Sequence, residues 1–98
     1  MTEVTWSPES LRDLESIRDY IARDSPAYAD LVVRRTVAVV ERLEMFPESG
    51  RVVPERNVSS IREVIVRPYR VVHRLRESAV EVVTVFRASR LLVLPSME

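Results

Sequence analysis

The dipeptide Ser-Pro stands in VTWSPESLRDL and again in RDSPAYADLV, and each time an apolar pattern of helical period follows it. Serine accepts a hydrogen bond from an early helical N–H, and proline suits the first turn, where its missing N–H would have had no partner. Glu9 adds a negative charge at the positive end of the first helix dipole. Leu11, Leu14, Ile17 and Ile21 then share one face, which predicts a helix over about residues 8 to 23. After a two-residue break, Ala29, Val32, Val33, Thr36, Val40 and Leu43 keep the same period until Pro47 and Gly50 stop it. Two helices joined so tightly must fold back on each other as a hairpin.

Strand signals surround the hairpin. Glu3 to Trp6 reads as a short first strand, and Ile61–Arg67, Tyr69–Arg76 and Val80–Arg87 are rich in β-branched residues. The links between these three runs are Pro68 and Glu77 to Ala79, far shorter than the dozen or so residues of a parallel crossover, so the runs pair antiparallel. The expected fold is α+β in the order β-α-α-β-β-β, a single domain over residues 1–98, with the hairpin on one face of a small antiparallel sheet. Residues 51–60, RVVPERNVSS, are expected as a surface link. In the middle strand Tyr69, Val71, His73 and Leu75 share the face that meets the helices, leaving Arg70, Val72, Arg74 and Arg76 on the other. Arg62, Val64 and Val66 before it, and Val83, Val85 and Arg87 after it, are expected to extend that second face. The expectation is an uncovered apolar and cationic surface centred on Arg70, of the kind that meets a partner. Replacing Arg70 by alanine would then leave the fold intact.

The chain has no net charge, yet its halves differ. Residues 1–48 hold ten acids and six arginines, and residues 49–98 hold five acids and nine arginines. Every basic residue is arginine, whose guanidinium forks onto carboxylates and phosphates and stays protonated at any working pH. Glu63, Glu77 and Glu81 are too few to neutralise nine arginines nearby, so a polyanion or an acidic partner is expected on the cationic face. Other chemistries are excluded. One glycine cannot build a glycine-rich phosphate loop, and a chain without lysine has no Walker lysine or Schiff base. With no cysteine and one histidine, neither a metal site nor a cofactor is expected. His73, between Val71 and Leu75, is expected as a core histidine in place of a catalytic base, and Glu63 is a weak acid–base candidate beside Arg62. No stretch approaches the roughly 18 to 20 apolar residues of a membrane span, the N-terminus lacks the basic start of a signal peptide, and no disulfide is available. A soluble cytoplasmic protein is expected.

Taken in order, WSPESLRDLESIRDYIA, SPAYA, FPESGR, IREVIVRPYRVVHRL and VVTVFRASRLL resemble the RelE/ParE superfamily of bacterial type II toxin–antitoxin toxins, over residues 4–92. The resemblance implies a helical hairpin on an antiparallel sheet, and a growth-inhibiting toxin held by a cognate antitoxin in a hetero-oligomer. It leaves two targets open, because one scaffold serves both. The branch resembling RelE cuts mRNA on the ribosome, and the branch resembling ParE poisons DNA gyrase. In a nuclease, Arg70 of PYRVV would hold the scissile phosphate, with Arg62 and Arg87 as further catalytic residues. For binding alone, Arg62, Arg70, Arg74, Arg87 and Arg90 would meet phosphate or partner. FRASR departs from the His-Gly-Arg-Arg often found in the family, since Arg87 replaces the histidine and Ala88 the glycine; His73 likewise replaces a usual tyrosine. Arginine stabilises an anionic transition state but is a poor proton carrier. The reading therefore leans to ParE-like inhibition of gyrase, with a RelE-like ribosome-dependent endoribonuclease as the alternative. An inactive toxin or a nucleic-acid-binding module is the further alternative.

Overall fold

Both Ser-Pro starts form. In the computed structural model, which describes residues 2–89, helix α1 spans Pro8–Ala22 and helix α2 spans Pro26–Glu41. Ser7 Oγ accepts from the Ser10 N–H at 3.0 Å, and Ser25 Oγ accepts from the Tyr28 N–H at 3.1 Å. Each cap satisfies one of the orphan donors of a first turn. A single 3-10 turn, Arg42–Glu44, prolongs α2 and seats Leu43 wholly inside. Five strands follow the expected order with one addition: β1 Glu3–Trp6, β2 Arg51–Val52, β3 Ile61–Val66, β4 Tyr69–Leu75 and β5 Ala79–Arg87. They form one sheet in the spatial order β1-β5-β4-β3-β2. The pairs β2–β3, β3–β4 and β4–β5 are antiparallel, as short links require, while β1 joins the far edge parallel to β5.

The helices cover one face of the sheet. Val32 and Val40 of α2 pack with Val66, Tyr69, Val71, Val82 and Val85, and Ile17 and Ile21 of α1 close the same cluster. Leu11, placed by its spacing on the apolar stripe, is 52% exposed. Beyond Val82, β5 runs past the end of β1, and α1 satisfies its exposed backbone. Ser7 Oγ donates to the Val83 carbonyl at 2.8 Å, and Asp13 Oδ2 accepts from Thr84 Oγ1 at 2.6 Å and from the Val85 N–H at 3.0 Å.

The second face departs from expectation in two ways. It is covered, because the link from Val53 to Ser60 folds across it as a strap and inserts Val53 and Val58 against Ile61, Val72, Val83 and Phe86. Val53, Ile61 and Val72 are wholly buried, each worth roughly 1.5 to 3 kcal/mol over its exposed state. The face is also assembled from different residues. Counting back from Tyr69 paired with Val66 puts Val64 and Val66 toward the helices, with Arg62 in their phase, and turns Ile61, Glu63 and Ile65 to the strap. On β5 the register slips between Val72 and His73, so Val72 pairs with Thr84 and His73 with Val82, leaving Val83 as an extra residue. Such a bulge reverses the alternation beyond it. Val82 and Val85 consequently both face the helices, while Val83 and Phe86 pack on the strap side.

Candidate functional site

Sheet register puts Arg70 at the centre of the strap side. Arg70 lies opposite Ile65 on β3 and opposite Phe86 on β5, and Glu63, two residues along β3, is its diagonal neighbour. Arg70 Nε donates to Glu63 Oε1 at 2.6 Å, and its guanidinium carbon stands 5.2 Å from the centre of the Phe86 ring. The strap supplies the other partner. Arg70 Nη1 and Nη2 donate to Glu55 Oε2 and Oε1 at 2.7 and 2.8 Å, a two-bond fork. Directly across β2–β3, Arg51 Nε donates to the second oxygen of Glu63 at 2.5 Å. The Arg70 side chain is 7% exposed and that of Glu63 is closed to solvent altogether. The Glu55 bonds, with Glu63 behind them, hold Arg70 protonated well above the ordinary guanidinium range, against the opposing effect of burial.

The open cationic surface expected around Arg70 is therefore not formed; the arginines separate instead. Arg62 lies in the opposite phase of β3, where its guanidinium donates to the carbonyls of Ser59 at 2.8 Å, Gly50 at 3.1 Å and Glu48 at 3.2 Å. Arg74 pairs with Glu81, its direct opposite on β5, at 2.8 Å, and Arg76 reaches the same carboxylate at 3.6 Å. Those two arginines, Arg74 first, pull Glu81 below its ordinary carboxylate range. Arg87 is exposed at the end of β5, lining a cavity of about 480 Å³ with Asp13, Tyr20, Tyr69 and Phe86. Arg90, also expected at the site, lies outside the described residues.

His73 is a core residue, fully buried beneath Gly50, whose backbone approaches so closely that an added Cβ would lie 2.9 Å from the ring. Burial pushes the imidazole down to about 4; Arg62 adds to that, while the Val71 backbone and Glu63 oppose it. Neither ring nitrogen has a hydrogen-bond partner of good geometry among the described residues, and it is burial that favours the neutral ring. Three members of the Arg70 site escaped sequence reasoning: Glu55, Arg51 and Phe86. Phe86 was legible as the opposite of Arg70 once the β4–β5 pairing was drawn. Glu55 carried no signal, because nothing local shows a link folding back over a sheet.

The fold has counterparts among solved structures. The chromosomal ParDE system of P. aeruginosa matches with a TM-score of 0.74 at 22% identity, covering 89% of this chain and 96% of that one. The YoeB dimer of Staphylococcus aureus matches at 0.58 and 11% identity, over 85% and 92%. These likenesses define the class, a helical hairpin packed on a sheet with the RelE/ParE topology. In sequence, Toxin RelE2 of Caulobacter vibrioides is 34% identical over 92 residues, 93% of this chain and 100% of its own length. Putative toxin Y4kP of Sinorhizobium fredii is 37% identical over 87% of this chain and 86% of its own. Residues 4–92 match the family described as ParE toxin of type II toxin-antitoxin system, parDE, and the chain belongs to that family within the RelE/ParE superfamily. It is the growth-inhibiting toxin of a toxin–antitoxin module, with a cognate antitoxin as its partner. Among the described residues no helix is long and apolar enough to cross a membrane.

Proposed function

We propose that this toxin inhibits DNA gyrase in the manner of the ParE branch and does not cut RNA. One observation carries the reading: both edges of Arg70, the residue that would hold a scissile phosphate, are occupied by carboxylates, and its side chain is 7% exposed. Cleavage also requires the 2′-hydroxyl to lose a proton and the leaving oxygen to gain one, help typically worth about 10²- to 10⁴-fold. The proton carriers near Arg70 are poorly placed for it. Glu63 has one arginine on each oxygen, Tyr69 is buried toward the helices, and His73 is neutral inside the core. Arg87 is accessible, but a guanidinium is a poor proton carrier. The match to the ParE toxin family over residues 4–92 supports the same reading.

A ribosome-dependent endoribonuclease is the second reading, favoured by the name of the relative Toxin RelE2. Pulse-labelling of DNA and protein synthesis within minutes of inducing the toxin without antitoxin separates the two. Early loss of DNA synthesis with a DNA-damage response is expected. Early loss of protein synthesis with DNA synthesis intact would overturn the gyrase reading and return attention to Arg70, Arg62 and Arg87. Growth unaffected by induction would point to an inactive toxin or a binding module.

A further inference from the structure

The two carboxylates on Arg70 differ in how they are held. Glu63 grips Nε from within β3, closed to solvent and tied on its other oxygen by Arg51. Glu55 grips the opposite edge from a turn outside the sheet, where the Arg56 and Asn57 N–H groups both donate to the Val53 carbonyl. Its side chain is 22% exposed, against 7% for Arg70, so the fork is reached from the Glu55 side. The inner grip does not depend on the outer one. With Glu55 withdrawn, Glu63 and the Phe86 ring still aim the same two N–H groups outward.

We infer that the outer edge of Arg70 is a binding site for a single carboxylate, filled at rest by Glu55 and taken over in the complex by an Asp or Glu side chain of the cognate antitoxin. The donors are already in the planar fork that a carboxylate matches. Charge favours an acidic protein segment over nucleic acid. Once Glu55 leaves, Arg51, Arg70 and Glu63 carry one net positive charge, enough for one carboxylate. The cations expected to continue the site toward a phosphate chain are engaged elsewhere, Arg74 by Glu81 and Arg62 by backbone carbonyls on the other side of β3. While Glu55 occupies the fork, antitoxin affinity is lowered by the fraction of toxin in the closed state.

The test removes the resident carboxylate. Antitoxin co-purified with the toxin, separated and titrated calorimetrically against wild type and Glu55→Ala, is expected to bind the variant about tenfold more tightly, the gain a freed competitor gives. Acetate, compared with chloride at equal ionic strength, is expected to raise the Tm of Glu55→Ala and leave that of wild type unchanged. Equal or weaker antitoxin binding by the folded variant overturns the proposal. So does inorganic phosphate raising the Tm more than acetate, which would mark a phosphate site instead. If Glu55→Ala does not fold, Glu55→Gln, which drops the charge and keeps the bulk, carries the same expectations. Neither arm depends on whether gyrase is the target.

Discussion

Arg70→Ala is the obvious substitution for testing any role of this site in toxicity, and the structure predicts that it will remove a large share of the protein's stability. The change removes the cation bonded to a carboxylate that has no solvent exposure and leaves Glu63 with Arg51 alone. Breaking a buried pair by deleting one partner costs about 3 to 5 kcal/mol, and the surviving Arg51 contact places this case near the lower figure. The whole stability of a domain of this size is of the order of 5 to 15 kcal/mol. With about 4 to 8 °C of Tm per kcal/mol for a chain this long, the expected fall is at least roughly 12 °C. Thermal unfolding followed by circular dichroism measures it directly. The double variant Arg70→Met with Glu63→Met removes the two most buried charges at similar volume and is expected to recover part of the loss, since apolar replacement of a buried pair is often neutral and the Arg51 and Glu55 left behind both reach solvent. An Arg70→Ala protein within about 1 kcal/mol of wild type, where surface changes fall, would refute the argument. Loss of toxicity in that variant therefore means something only beside its unfolding curve.

Other substitutions test other joints of the fold. Asp13→Ala strips the acceptor from the Thr84 hydroxyl and the Val85 N–H, and a loss of about 2 to 3 kcal/mol is expected by urea denaturation, in the range for charge-assisted bonds; a change under half that would demote the α1–β5 bracket. His73 titrates near 4 in the fold against 6.5 unfolded, so the unfolded state takes up the proton first and stability falls as pH drops from about 6.5 to about 4, by about 3 kcal/mol. His73→Leu should lose that segment of the pH profile, and an unchanged profile would assign it to other groups. Gly50→Ala would bring a Cβ to 2.7 Å from the Glu63 carbonyl oxygen, a backbone atom that cannot swing aside, so a cost of about 1 to 3 kcal/mol is expected in the same assay; a neutral result would mean that the residue 46–50 turn shifts freely.

Much of the architecture is legible without the structure because it depends on local rules. Ser7 and Ser25 start helices where they stand, and links such as Pro68 are too short for anything but antiparallel neighbours. The middle strand alternates as its pattern requires: Tyr69, Val71 and His73 face the helices and Arg70 does not. The flanking strands are harder. Val runs such as Val64, Val66, Val83 and Val85 give no phase, because valine suits either face and a single bulge at Val83 reverses everything after it.

The candidate site shows where local rules stop. Sequence singled out Arg70 as the central cation and gave Glu63 as a weak acid–base candidate, and the two are bonded to each other. It also treated residues 51–60 as surface and Arg70 as exposed, whereas the strap covers the face and Glu55 closes the fork.

The sequence by itself determined the helical hairpin, the strand order along the chain, the orientation of the middle strand and the family. Each of these follows from caps, periodicity and link lengths acting over a few residues, or from an ordered set of motifs. Tertiary structure decided the parallel seat of β1 on β5, the phase of β3 and β5, and above all whether Arg70 faces water or two carboxylates. Those outcomes turn on where a ten-residue link comes to rest. That link settles by burying Val53 against Val72 and by pairing Glu55 with Arg70, contacts between residues 15 or more positions apart that no local pattern encodes.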